Sequence, residues 1–588
     1  MKELFREVIR INTMEDISAM EDAANKLFGQ LNVMEIPEHF NWASDIFEAL
    51  HVKETPDKKA LIWTDIDTQK TKTYTYRAVS QKANQLINFF AKSGVVQGDN
   101  LYMMTPLLPE NWFACLAGIK AGIVSVPTAT TMTQRELEFR FETYSPKVII
   151  ADEASADLID KALEQNHSDP KLKLVLGQKY GWTSFDVIDN ESPEAQGAHT
   201  RSDDILFCFF TSGTTGLPKR VGHTAISYPV GHLSTTIMMG LRPDDIHNNL
   251  STPGWAKWSW SSFFAPFNVG ATTTGFKYSF LDGEQYLDAV SRHRVTTFCG
   301  PPTAWRSFVN MNLDSFDLSS LRQSISAGEP LNADVINKWN THTHTEIRDV
   351  YGQTESTAMI GNPPWIKGKM RSGSFGYPSG MYDMALADNE GNEITQADQV
   401  GHIVIKLDKW RAIGLFSEYI GSPEKMSSVF VDHYYYTGDR ASFDADGYWW
   451  FVGRADDVIK SSDYRIGPFE VESALVEHPS VAEAAVIGSP DANRYQLVKA
   501  YVILNPSYEA SRELALELFK HTLTILPKFK IPRIIEFVPE VPKTISGKIR
   551  RIELRQIEVT KQDTDLEDGI KEYFYWDFPE LSSKQRQR

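Results

Sequence analysis

Apolar and polar positions alternate in two rhythms along this chain. From about Leu61 to Val230, short apolar runs that suit strands are followed by stretches with helical periodicity. NLYMMTP (100–106) precedes ENWFACLAGIKAG (110–122), and KVIIAD (147–152) precedes EASADLIDKALEQ (153–165). Strands alternating with helices predict parallel or mixed sheets with helices covering their faces. TEIRDVYG (345–352) opens another such unit. Residues 1–50 read as amphipathic helix, an N-terminal extension packed on the body.

The texture then changes. HIVIKL (402–407) and DGYWWFVGR (446–454) read as strands joined by turns. A helical run, PFEVESALVEHP (468–479), leads into two apolar strands, VAEAAVIGSP (481–490) and LVKAYVIL (497–504), and a helix, SRELALELFKHTLTIL (511–526). Together these make an α+β unit of roughly 100 residues, an ordinary domain size. The predicted boundary lies near Arg454–Asp457, which divides the chain into residues 1–455 and 456–588. The end (560–588) is polar with an aromatic cluster and reads as a tail across the surface. The predicted class is therefore α/β: a large N-terminal multi-sheet domain and a small α+β C-terminal domain.

A chain of 588 residues exceeds what one core organises, which agrees with two domains. The net charge of −17 argues against nucleic acid as a partner, though a local basic patch can still hold an anionic ligand. No run approaches the length of a membrane span. The first residues lack the apolar core of a signal peptide, and their acidic side chains speak against a transit peptide. Cys115, Cys208 and Cys299 lie far apart and match neither a metal pattern nor a disulfide framework. The expected setting is the reducing cytoplasm.

The most chemically loaded stretch is TSGTTGLPK (211–219), directly after the apolar run ILFCFF (205–210). Glycine lets a backbone approach a ligand closely. Hydroxyls and backbone N–H groups donate to phosphate oxygens, a following helix N-terminus adds its dipole, and Lys219 brings a mobile positive charge. The loop suits a polyphosphate. It is neither a Walker loop nor a dinucleotide fingerprint, because the spacing is Gly213-x-x-Gly216-x-x-Lys219 and Arg220 follows the lysine. Taken alone, it fits an ordinary turn equally well.

Three further segments change that reading. TSGTTGLPK resembles the phosphate loop of the adenylate-forming superfamily, which includes acyl-CoA synthetases, luciferases and peptide-synthetase adenylation domains. YGQTES (351–356) resembles its second nucleotide motif, YTGDRASFDADGYWWFVGRADDVIK (436–460) its ribose and hinge motifs, and PKTISGKIRR (542–551) its C-terminal lysine motif. The motifs stand in the family's order.

The resemblance implies two steps: a carboxylate attacks the α-phosphate of ATP to give acyl-AMP and pyrophosphate, and a thiol then displaces AMP. It assigns Thr211, Ser212, Gly213, Thr214, Thr215, Gly216, Leu217, Pro218 and Lys219 to the phosphates. Gly328, Glu329 and Pro330, with Asp349, Val350 and Tyr351, would form the adenine pocket, and Gly352 and Gln353 would also contact the nucleotide. Thr354 would contact the α-phosphate and the reacting carboxylate, and Glu355 would hold Mg²⁺, a hard ion that suits oxygen ligands. Asp439 would bind the ribose, with Arg454 on the ribose or phosphate side and Asp456 at the hinge of a mobile C-terminal domain. Lys548 would swing into the site and bridge the carboxylate and α-phosphate. Ser462, Asp463 and Tyr464 would line the pantetheine tunnel of CoA, with Arg465 near a nucleotide phosphate and Arg494 near CoA's phosphates. Many relatives carry glycine where this chain has Asp463, which bears on the CoA step rather than on adenylation.

STPGWAKWSWSSFFAPFNVGA (251–271) is similar to the acyl-pocket region of medium-chain acyl-CoA synthetases. Trp255 and Thr131 are the candidate pocket contacts. The position of Gly352 is usually tryptophan in acetyl-CoA synthetases, so glycine there predicts room for an acid larger than acetate. The alternatives are that these tryptophans are simply core and that other aromatics refill the space beside Gly352. The favoured activity is that of an acyl-CoA synthetase using ATP, Mg²⁺ and CoA. The alternatives are an adenylating enzyme serving a carrier protein and a non-catalytic nucleotide-binding regulator.

Overall fold

The runs read as buried strands lose water on both faces. Asn100–Met104 and Val124–Pro127 are buried throughout and pair in parallel. Two-sided burial explains why they are mostly apolar, with Asn100 and Ser125 the exceptions, rather than alternating. The computed structural model describes residues 1–211, 218–366, 368–462, 464–491, 494–543, 548–562 and 571–582.

The chain forms two compact units, one of Met1–Met384 with Ile405–Tyr435, the other of Ala385–Val404 with the residues from Tyr436 onward. Packing thus divides the chain differently from the boundary predicted near Arg454–Asp457. Residues 385–404 and 436–455 belong with the C-terminal part, because the strands Gly401–Lys406, Tyr434–Phe443 and Trp449–Arg454 share a sheet.

Among its described residues the first unit carries two large sheets. One has nine strands, and its centre (Gln323–Ala327, Thr297–Gly300, Ile246–Asn249, Thr272–Lys277) is parallel. Ile347–Gly352 runs parallel beside Gln323–Ala327, with Val350 opposite Ala327. The other has eight strands and includes Val124–Pro127, Asn100–Met104 and Val148–Asp152. The N-terminal extension is helical as read. Phe5, Val8 and Ile11 are buried, and Asn12 Nδ2 donates to the carbonyls of Thr236 (3.1 Å) and Leu241 (2.7 Å), which ties the first helix to Ser227–Met239. Arg348 also serves that helix. Its guanidinium is buried and donates to the carbonyls of Met238 (2.7 Å) and Met239 (2.8 Å), a cation against a helix C-terminus. Burial pulls its pKa down to about 9.

Two readings of local structure are corrected. TSGTTGLPK does not lead into a helix. Lys219–Thr224 is a strand antiparallel to Ile205–Thr211, with Lys219 opposite Thr211, and the next helix begins only at Ser227. No helix dipole therefore follows the loop directly. The C-terminal stretch is also not merely a surface tail. Lys571–Phe574 adds to Ile534–Phe537 as an antiparallel edge strand, and Phe578 is buried in the second unit's core. The aromatic cluster that looked superficial supplies part of that core.

Candidate functional site

In the first unit several candidate residues stand at the carboxyl ends of parallel strands, the position where open α/β sheets bind ligands. Gly328, Glu329 and Pro330 follow Gln323–Ala327 directly, and Tyr351 and Gly352 end the adjacent strand. Gly328 has φ +115°, a conformation that glycine tolerates, with no atom within 4 Å of where a Cβ would stand. Tyr351 is partly exposed and meets the edge of Phe375 at 5.4 Å. Asp349 and Val350 are buried. Burial raises the Asp349 carboxyl to about 7, against its hydrogen bond from the Val350 N–H at 3.1 Å. Gln353 takes a hydrogen bond from the Tyr435 hydroxyl at 3.2 Å.

Thr211 and Lys219 stand opposite one another at the mouth of the hairpin. Residues 212–217, to which Ser212, Gly213, Thr214, Thr215, Gly216 and Leu217 belong, lie outside the described residues; Pro218 is partly buried. The Lys219 ammonium lies over the Tyr419 ring at 4.7 Å, and the Tyr419 hydroxyl donates to Glu355 Oε1 at 2.9 Å. One tyrosine thus joins the phosphate-loop lysine to the candidate metal ligand. It is held there because Glu418–Tyr419 pairs antiparallel with Lys219–Thr224, placing Tyr419 opposite Val221. Thr354 is positioned from behind, with His223 Nε2 2.7 Å from its carbonyl oxygen. Burial lowers His223 to about 4, so the ring is neutral at pH 7 and its Nε2–H donates.

Glu355 suits a divalent cation. Its carboxylate is partly exposed, offers hard oxygen donors and stands one tyrosine away from the lysine at the phosphate loop. A single carboxylate with phosphate oxygens and water is the usual magnesium arrangement.

The acyl-pocket candidates differ in exposure. Trp255 is partly buried and packs on the core that contains Ala129 and Met132, while Thr131 in the neighbouring loop is exposed. The two loops touch closely, since a Cβ on Gly254 would lie 2.5 Å from Ala129 Cα. Trp258 and Trp260 are core, as the bland reading held. Beside Gly352 the expected room is absent and an aromatic refills the space, as the alternative reading held. A Cβ there would lie 2.2 Å from the Thr357 carbonyl oxygen and 2.3 Å from Trp260 Cη2. An indole from the neighbouring helix occupies the space that the glycine was expected to leave open.

The second unit carries the remaining candidates. Asp439 is buried and stands opposite Arg454 across an antiparallel pair, and Arg454 Nε lies 3.3 Å from Asp456 Oδ1. Burial opposes the Arg454 charge, but Asp439 and Asp456 outweigh it and raise the guanidinium pKa. Beyond the candidate hinge, Asp457 is fastened to the helix Arg551–Gln562 by Arg555 at 2.8 Å. The Ser462 N–H donates to the Arg494 carbonyl at 2.9 Å, so two of the CoA candidates are neighbours. Ser462 holds φ +53°, and Tyr464, half-exposed, stacks on Phe529 at 4.2 Å. Asp463 and the side chain of Arg465 lie outside the described residues. Lys548 is exposed, next to the bridge between Lys543 and Ile549.

Tyr419 and His223 touch candidate residues and were not read from the sequence, whereas Trp260 lies in the aromatic stretch 251–271 read as an acyl-pocket region. Tyr419 lies far from the loop in the chain and stands in a short strand without distinctive pattern, so nothing local announces it. His223 alone had a signal, a polar residue inside a strand that follows the hairpin.

Comparison with known proteins identifies the family. The AMP-binding enzyme family matches residues 49–419, and the AMP-binding enzyme C-terminal domain matches residues 470–548. The chain is similar to 4-hydroxybutyrate–CoA ligase 1 of Metallosphaera sedula, with 48% identity over 98% of this chain and 100% of that protein. It is also similar to the mitochondrial acyl-coenzyme A synthetase ACSM3 of Rattus norvegicus, 37% identical over 90% of this chain and 92% of that one. Among solved structures, the anthranilate CoA ligase AuaEII in complex with anthranoyl-AMP superposes with a TM-score of 0.82 at 31% identity, covering 90% of this chain and 100% of that one. Among the described residues, no helix is long and apolar enough to cross a membrane.

Proposed function

This chain belongs to the AMP-binding enzyme family, and from that membership we propose that it is an acid–thiol ligase that makes acyl-CoA from a carboxylic acid, ATP and CoA. The acid is first converted to acyl-AMP with release of pyrophosphate; the thiol of CoA then displaces AMP. The observation that carries this reading is the Lys219–Tyr419–Glu355 contact, which gathers a cation and a hard oxygen donor beside the hairpin mouth.

In the first step two anions must meet. Lys219 and the hairpin hold the polyphosphate, and Thr354, held from behind by His223, faces the reacting groups. Glu355 would hold Mg²⁺, which when bound neutralises phosphate charge. Asp439 accepts from the ribose hydroxyls, supported by its burial beside Arg454. Lys548 supplies positive charge to the carboxylate and α-phosphate. Asp456 is the pivot, supported by the anchoring of the next residue, Asp457, to a helix of its own unit. In the second step Ser462, Tyr464 and Arg494 receive CoA, supported by the Ser462–Arg494 hydrogen bond. The acid is larger than acetate, a reading supported by the 4-hydroxybutyrate and anthranilate named for its relatives. The reaction runs in the cytoplasm, a setting that suits three free, buried cysteines.

The test has two parts. CoA-dependent AMP release with acids from acetate to octanoate and benzoate should show turnover, with acetate a poor substrate. In Lys548→Ala, ATP–pyrophosphate exchange should fall by at least about 100-fold, the scale of losing a charge-stabilising group. Exchange that survives the substitution, or no exchange with any acid in the wild type, would sink the proposal.

A further inference from the structure

Glu355 is held in two different ways. Its backbone is fixed from several sides. The Phe416 N–H donates to the Glu355 carbonyl at 2.8 Å, and His223 holds the carbonyl of Thr354. Two residues on, the Thr357 N–H donates to the Tyr382 hydroxyl at 2.9 Å, and the Thr357 hydroxyl donates to the Gly231 carbonyl at 2.8 Å. The carboxylate is held more sparingly. Among the described residues it makes no ion pair, and its hydrogen bond comes from the Tyr419 hydroxyl. Removing that hydroxyl would free the carboxylate without releasing the backbone beneath it.

The same tyrosine carries the Lys219 ammonium over its ring at 4.7 Å, within reach of the electron-rich face. Tyr419 is itself well anchored. It is buried, its short strand pairs with Lys219–Thr224, and its ring packs on Phe416 at 4.7 Å. Arg411 in turn donates to the Phe416 carbonyl at 2.6 Å. Packing and hydrogen bonds around a side chain are what keep it in one geometry while ligands come and go.

The chemistry follows from the two contacts. A lysine and a glutamate at one site attract, and a direct ion pair would cancel both charges. Joined through Tyr419, each meets a neutral partner instead: the ammonium a ring face, the carboxylate a hydroxyl. The hydroxyl also engages one carboxylate oxygen and leaves the other for a cation. Hydrogen bonds to a ligating carboxylate orient it and tune its affinity for the metal. Magnesium demands near-ideal geometry, so it is sensitive to that orientation.

Resting on the acyl-CoA synthetase reading above, we propose that Tyr419 is a positioning residue of the phosphate site. Its hydroxyl presets the Glu355 carboxylate for Mg²⁺, and its ring keeps Lys219 from neutralising that carboxylate. Tyr419 acts through these two side chains and not on the reacting atoms.

The test is calorimetry of ATP binding to the full chain, in EDTA and in excess Mg²⁺. Wild type should bind ATP more tightly with Mg²⁺. Tyr419→Phe keeps the ring face, so its affinity in EDTA should stay within about twofold of wild type. Its gain from Mg²⁺ should fall by about tenfold, or vanish if the gain is smaller, the scale of losing a partner that orients a metal ligand. In a Glu355→Gln background the same substitution should change nothing further, because its effect runs through that carboxylate. A merely structural role would weaken ATP equally in both media and would persist in that background. Tyr419→Leu removes the face as well and should weaken ATP in EDTA too. An unchanged Mg²⁺ gain in Tyr419→Phe, or an equal loss in both media, would overturn the inference. A wild type that binds no ATP in either medium would overturn the synthetase reading on which it rests.

Discussion

Lys499 in the second unit and the Tyr228–Trp260 cluster in the first are both buried and both polar, and they are built in opposite ways. Lys499 is fully buried, yet its ammonium lies 2.5 Å from Glu558 and 2.9 Å from Glu536, and it also pairs with Glu572. Glu558 receives the Tyr501 hydroxyl at 2.9 Å and the Ser489 hydroxyl at 2.8 Å, and Lys561 reaches Glu536 at 2.6 Å. The network joins four strands to the helix Arg551–Gln562, including the edge strand Lys571–Phe574. In the first unit's cluster the rings are neutral, and the Tyr228 hydroxyl, His232 Nε2 and Trp260 Nε1 close no hydrogen bond. The difference teaches how much of a buried polar group the fold uses. A cluster of paired charges spends most of its bonding capacity on the fold, even with one oxygen of Glu536 left without a hydrogen bond, while the neutral cluster leaves more of that capacity unspent.

The comparison can be broken at several points. Lys499→Met should have the largest effect, because it strands buried carboxylates, a loss of about 3–5 kcal/mol. Denaturant unfolding of the full chain would show it as a lower midpoint, and an unchanged midpoint would mean that the network is ornamental. Tyr501→Phe removes one bond to a charged acceptor and should cost about 1.5–3 kcal/mol in the same measurement.

Asp349 stands between the two extremes, a buried carboxyl partnered mainly by backbone. Burial raises it from 3.8 to about 7, so the folded chain keeps this proton to higher pH than the unfolded chain does. Its contribution to stability is therefore present below pH 3.8 and is lost as pH rises to about 7. The loss is roughly 1.4 kcal/mol per pH unit. Glu558 slopes the other way: burial pushes its pKa up, Lys499 outweighs burial, and the lowered pKa gives stability that is lost as pH falls. Asp349→Asn should flatten the Asp349 slope in melting curves recorded across that window; a slope unchanged by the substitution would remove Asp349 as its source.

Tyr228→Phe should have the smallest effect. It deletes a hydroxyl that faces the Trp260 N–H without closing a hydrogen bond, so stability should change by no more than about 1 kcal/mol. Set beside Tyr501→Phe, it is the cleanest contrast: the same atom is removed from two buried tyrosines, one bonded and one not. Equal losses at the two positions would collapse the distinction.

The sequence by itself determined the strand–helix alternation, the two-part architecture, the family and the run of motifs at Thr211–Lys219, Tyr351–Glu355, Asp439–Arg454 and Lys548. These were legible because each depends on neighbours in the chain: periodicity, turn chemistry and motif spacing are local. Only the tertiary structure decided that TSGTTGLPK joins two antiparallel strands and that the aromatic C-terminal stretch enters a sheet and a core. It also decided that Tyr419 bridges Lys219 and Glu355, and that Trp260 fills the space beside Gly352. Each of these depends on residues far apart in the chain meeting across a sheet or helix face. Their pairing is set by packing and register, which no local pattern encodes.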